Sequence, residues 1–94
     1  MNNISVGNIC RVIHPGYIYP SYKDFAIEAE YPDALISDLH SRKLKNTIVR
    51  VLVIKKKNCV YPTYLAVVES INTPNTKFII DIRAIERMGV LIIY

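Results

Sequence analysis

The sequence predicts a mainly β fold with short helices, an α+β arrangement in which five short strands form a small barrel and a helical excursion follows the first strand. Three observations predict it. Runs rich in β-branched residues, each of strand length, fill the second half. Clusters of Asn, Pro, Thr and Lys separate those runs where the chain must turn. Residues 14–46 instead carry helix-start signals and short apolar stripes. Five short strands favour closure, because a barrel removes the open edges through which sheets aggregate.

Each element has its own warrant. Ile9-Cys10-Arg11-Val12-Ile13 reads as the first strand, ended by His14-Pro15-Gly16. Ser21-Tyr22-Lys23-Asp24 has the form of a helix N-cap with an acid three residues on. Phe25, Ala26 and Ala29 then form one face of a short helix. Pro32 suits the first turn of a second helix, whose stripe is Leu35, Ile36 and Leu39. Asp38 lies four residues before Arg42, the spacing of a helical ion pair. Residues 47–54 are the second strand, and Lys55-Lys56-Lys57-Asn58 a polar turn. Residues 61–71 form the third strand, with Tyr64, Ala66 and Val68 on one face and Leu65, Val67 and Glu69 on the other. Asn72-Thr73-Pro74-Asn75 turns the chain into a fourth strand at 77–81, so residues 61–81 form a hairpin. Gly89 precedes a last apolar strand at 90–94.

The leading Val-Gly-Asn-Ile-Cys-Arg-Val-Ile of residues 6–13, Tyr19 with Tyr22, the Phe25-Ala26 pair and the 78–86 segment Phe-Ile-Ile-Asp-Ile-Arg-Ala-Ile-Glu form a pattern. In it, the chain resembles small SH3-like barrel proteins of tailed bacteriophages. The resemblance implies a single SH3-like domain over residues 1–94, with the excursion at 14–46. It implies that residues 81–86 close the barrel through a tight turn, and that Tyr17 and Tyr19 border a groove. It also suggests a viral origin, and it implies no single activity.

Composition excludes more than it selects. Ninety-four residues make one domain, and 51% hydrophobic content against 21% charged is that of a globular chain. No apolar run reaches the ~18 residues of a membrane span. The start Met1-Asn2-Asn3 lacks a basic region followed by an apolar block, so no secretory signal is expected and the location is cytoplasmic, the host cytoplasm if the protein is viral. Cys10 and Cys59 form no C-x-x-C pair, and two buried thiols or a disulfide both fit. His14 and His40 stand at no metal-ligand spacing, and no metal or cofactor is expected.

Two features carry binding chemistry. Tyr19-Pro20-Ser21-Tyr22 recurs as Tyr61-Pro62-Thr63-Tyr64, and Tyr31-Pro32 adds a third Tyr-Pro step. Each copy sets two phenol rings around a rigid proline, suited to stacking on bases or gripping a peptide with little loss of entropy. The alternative is that Tyr22 and Tyr64 anchor the excursion. Charge is segregated as well. Five acids fall between residues 23 and 40, whereas residues 39–68 hold no acid and seven bases: Arg42, Lys43, Lys45, Arg50, Lys55, Lys56 and Lys57. Arg42, Lys43, Lys45 and the lysine turn together suit phosphate contacts. Otherwise the bases neutralise the acidic excursion, and the lysines guard a strand edge.

Catalysis finds no motif. No serine stands in G-x-S-x-G, the three glycines form no phosphate loop, and Cys10 and His14 lie roughly 13 Å apart along a strand. The expectation is a non-enzymatic module. Its partner is nucleic acid or a phosphate-bearing nucleotide, or else a bacterial host protein that it inhibits or adapts. The apolar 90–94 strand is either buried in the barrel or an open edge, and a homodimer would form through that edge or through the helical excursion.

Overall fold

A computed structural model describes residues 4–20, 22–57, 63–73 and 75–88. The elements are β1 (Ile9–Val12), α1 (Lys23–Glu28), α2 (Asp38–Ser41), β2 (Ile48–Lys57), β3 (Thr63–Ser70), β4 (Lys77–Asp81) and β5 (Ile85–Arg87). Single 3-10 turns lie at Pro15–Tyr17 and Ile82–Ala84. The strands form one antiparallel sheet in the order β4-β3-β2-β1-β5. Among the described residues, no helix is long and apolar enough to cross a membrane.

The two-residue period of the strands sends alternate side chains to opposite faces, and both faces are covered. Cys10, Val12, Val49, Val51, Ala66, Val68, Phe78 and Ile80 fill one core with Ala84 and Ile85. Leu65, Val67 and Ile79 face the other way, under Phe25, Ala26, Ala29 and Ala34 of the excursion. The faces expected for residues 64–69 and for α1 are therefore the observed ones. A bulge at Leu52 shifts the β2–β3 register, with Val51 opposite Val68 but Val53 opposite Val67. Leu52 and Val53 thereby both pack against the α1 core, while Ile54 returns to the other.

The excursion is tied down at both ends. Ile18 bridges Ile80, and the Tyr19 N–H donates to the Ile79 carbonyl at 2.9 Å. At its far end the Asn46 N–H donates to Val12 O at 2.8 Å.

Three expectations are corrected. The second helix does not start at Pro32. Ser37 is extended and its hydroxyl accepts from the His40 N–H at 3.1 Å, so the helix starts at Asp38. Leu35 and Ile36 pack from irregular chain, and Leu39 is 72% exposed. The cap of α1 is Tyr22, without a side-chain cap bond, and Ser21 lies outside the described residues. Lys55, Lys56 and Lys57 are not a turn but the end of β2, because β3 supplies Leu65, Tyr64 and Thr63 as partners. The fifth strand of the sheet is β5, paired to β1, while the proposed 90–94 strand lies outside the described residues. The 61–81 hairpin is present as β3 and β4.

Candidate binding surface

The tyrosine surface is assembled where the excursion meets the link between β4 and β5. The carbonyl of Ala84 accepts from both the Ile13 N–H at 2.9 Å and the His14 N–H at 3.3 Å. That fixes the first turn of the excursion beside Arg83. Tyr17, 49% exposed, meets His14 edge-on at 6.2 Å and lies under the Arg83 guanidinium at 5.9 Å.

Arg83 is itself held by a built-in acid. Its Nε and terminal nitrogen donate to the two carboxylate oxygens of Asp81 at 3.0 and 2.7 Å, and its backbone N–H donates to Oδ1 at 2.8 Å. The Thr63 hydroxyl donates to Oδ2 at 2.9 Å. The Asp81 side chain is fully buried whereas Arg83 is 70% exposed. Burial opposes the carboxylate charge, yet the Arg83 and Thr63 bonds prevail and hold Asp81 below its ordinary 3.8. Asp81 thus orients the guanidinium and cancels its charge.

A second row continues from there. Tyr19 and Tyr22 lie 5.9 Å apart, Tyr22 and Phe25 5.7 Å apart, both tilted. The Lys57 ammonium sits 5.1 Å over the Tyr22 ring. Lys57 and Thr63 are cross-strand partners on the face that carries Asp81, so β2, β3, β4 and the excursion all contribute to one surface. Lys55 shares that face, opposite Leu65. Lys56 and Tyr64 pair on the other face of the same strand ends, with Tyr64 49% exposed.

The sequence-derived site therefore divides. Tyr17, Tyr19, Tyr22, Lys55 and Lys57 come together, with Lys56 and Tyr64 at the rim. Tyr61 lies outside the described residues. Arg42, Lys43 and Lys45 precede the start of β2, as much as ~30 Å along the strand from its lysine end. Arg42 is 3.0 Å from Asp38 and faces Pro15 and Gly16 across a shallow cavity. Arg50 is exposed in mid-sheet opposite Glu69.

Sequence reasoning passed over Arg83. Its signal was Asp81-Ile82-Arg83, an acid able to cap the turn it precedes, which had been read only as a closing turn. Cys10 is a free thiol sealed in the core. Burial pushes it up to about 11, with Arg87 pulling weakly the other way, so it stays protonated at neutral pH. Cys59 lies outside the described residues. No protein-family model matches the chain, and comparison with curated proteins and with solved structures gives no match.

Proposed function

We propose that this chain is a non-enzymatic binding module that takes single-stranded nucleic acid across the Tyr17, Tyr19 and Tyr22 rings, with Lys55, Lys56 and Lys57 meeting phosphates. One observation carries the reading: Lys57 lies over Tyr22, which joins the lysine end of β2 to the tyrosine row. Tyr22 is half-buried against Tyr19 and Phe25 and serves to hold Lys57 at the edge of the row, while the exposed Tyr17 ring offers the stacking surface for a base. We further propose that the sheet curls into a small SH3-like barrel of the tailed-bacteriophage kind. The strand order, the 3-10 link at Ile82–Ala84 and the Ile18–Ile80 bridge support that reading.

The test is fluorescence anisotropy with a labelled oligothymidylate at low salt. Changing Lys55, Lys56 and Lys57 together to Glu abolishes binding. Tyr17→Ala weakens it about five- to hundredfold, the worth of one stacked base. Unchanged affinity in the triple variant refutes the reading.

One observation favours a second reading, a bacterial host protein as partner. The Arg83 charge is cancelled by Asp81, which leaves Tyr17 and His14 as an exposed aromatic pair in neutral surroundings, the composition of an interface anchor. Capture from nuclease-treated bacterial lysate would then yield one stoichiometric protein, lost in Tyr17→Ala/Tyr19→Ala. Recovery of nucleic acid alone from untreated lysate excludes it. A homodimer is proposed on the sequence argument only, and a light-scattering mass equal to one chain overturns it.

A further inference from the structure

Lys45, which does not reach the tyrosine surface, borders a different feature. Between the end of the excursion and the β3–β4 turn lie two adjoining cavities that share His40 as a wall. One is about 380 Å³ and the other about 280 Å³, together a size that accepts a small molecule.

Their chemistry differs. The larger lobe has a floor of Leu44 and Ile48 and a rim of Lys45, Asn46, Thr47 and Asn72. Among the described residues that line it, Lys45 is the one fully charged group and none is a carboxylate. The side chains of His40, Lys45, Asn46, Thr47 and Asn72 have no hydrogen-bond or ion-pair partner among the described residues. Five uncommitted polar groups around one concavity suit a ligand with several acceptors and negative charge. A metal ion has no carboxylate to hold it there, and an apolar ligand would leave these groups unpaired.

The smaller lobe is built for an organic body. Leu35 and Ile36 supply half-buried apolar surface, and Asn75 and Thr76 supply hydrogen-bonding groups. Its one acid, Asp33, is already bound to Lys77 at 3.1 Å, with Glu69 at 3.7 Å on the other side of the ammonium. That lobe therefore presents little net charge.

We propose that this seam is a mononucleotide site, with the phosphate at Lys45 and Thr47 and the nucleoside against Leu35, Ile36 and His40. The site lies apart from the tyrosine surface and does not rest on the nucleic-acid reading. The experiment is an NMR titration of the full chain with AMP, adenosine and inorganic phosphate. AMP shifts the amides of residues 35–36, 44–48, 72–73 and 75–76 at millimolar concentration or below. Adenosine and phosphate each bind more weakly, because each fills one lobe. Lys45→Ala lowers AMP affinity about tenfold, the worth of a charge-assisted hydrogen bond, and Thr47→Val lowers it further. Absence of shifts with millimolar AMP overturns the proposal. Equal affinity for AMP and phosphate, or AMP affinity unchanged in the double variant, overturns it too. Shifts confined to Tyr17, Tyr19 and Tyr22 assign AMP to the other surface and likewise refute the seam site.

Discussion

At the scale of single residues, Asp81 shows how a buried acid and an exposed base divide one task. The carboxylate cannot reach water, so its charge depends on Arg83, Thr63 and one backbone amide. Removing Asp81 leaves a guanidinium that water can take over. Removing Arg83 leaves a buried carboxylate with two neutral donors, and that is the worse outcome. Because Asp81 titrates below its ordinary 3.8 when folded, its contribution to stability is present above that value and is lost as pH falls through the folded one. Arg83→Ala therefore moves acid unfolding to higher pH, as circular dichroism across an acid titration would register, and an unmoved transition contradicts the assignment. Glu30 presents a different residue-scale effect. It ends α1 at φ 66, in the left-handed region, while the Tyr31 N–H reaches back to Ala26 O at 2.9 Å. A side chain in that region costs ~1–2 kcal/mol, and glycine avoids it at some entropic cost. Glu30→Gly is expected to raise stability by about 0.5–1 kcal/mol in urea denaturation.

At the scale of elements, α1 is six residues long and cannot stand alone in water. It exists because Phe25, Ala26 and Ala29 lie on Leu65, Val67 and Ile79. Phe25→Ala should cost about 3 kcal/mol, and amide exchange should quicken first at residues 22–31 while β1 keeps its protection. Uniform loss across the sheet would mean that the two cores are not separable. The same dependence on packing explains which elements were legible in the sequence. The hairpin was readable because its strands are short β-branched, apolar runs and its turn residues have one use. The apolar face of α1 was readable because residues 25, 26 and 29 share a helical stripe. Lys55, Lys56 and Lys57 misled because side-chain polarity says nothing about whether a backbone partner waits at residues 63–65. The stripe of Leu35, Ile36 and Leu39 misled because two of its members are half-buried from irregular chain and the third points outward. β5 is three residues with two exposed charged ones, too short for periodicity to reveal. Tyr19 and Tyr22 of the surface were legible from the repeat and Tyr17 from the resemblance, whereas Arg83 gained its place only from the tertiary approach of His14 and Tyr17.

At the scale of the whole molecule, the charge that was continuous in sequence is parted in space. The net charge of +4 includes seven bases in one acid-free stretch, but β2 carries that stretch from one end of the sheet to the other. Several acids are spent on particular bases: Glu86 on Arg11, Asp38 on Arg42, Asp33 and Glu69 on Lys77, and Asp81 on Arg83. Of the acid-free stretch, the bases that lie near the tyrosines are Lys55, Lys56 and Lys57 at the end of β2. This sets a number that separates two pictures of binding. Each phosphate neutralised on a single strand contributes about −0.7 to the slope of log affinity against log salt. Three contacts at the lysine end give a slope near −2, so affinity falls roughly 15- to 20-fold between 50 and 200 mM salt. All seven bases acting together would give a slope of about −5. Measured on the same oligothymidylate, Arg42→Ala, Lys43→Ala and Lys45→Ala should each leave the slope unchanged, while each lysine removed from the end of β2 makes it shallower by about 0.7. A slope near −5, or one that Lys45→Ala makes shallower, would place the strand along the whole of β2 instead of across its lysine end.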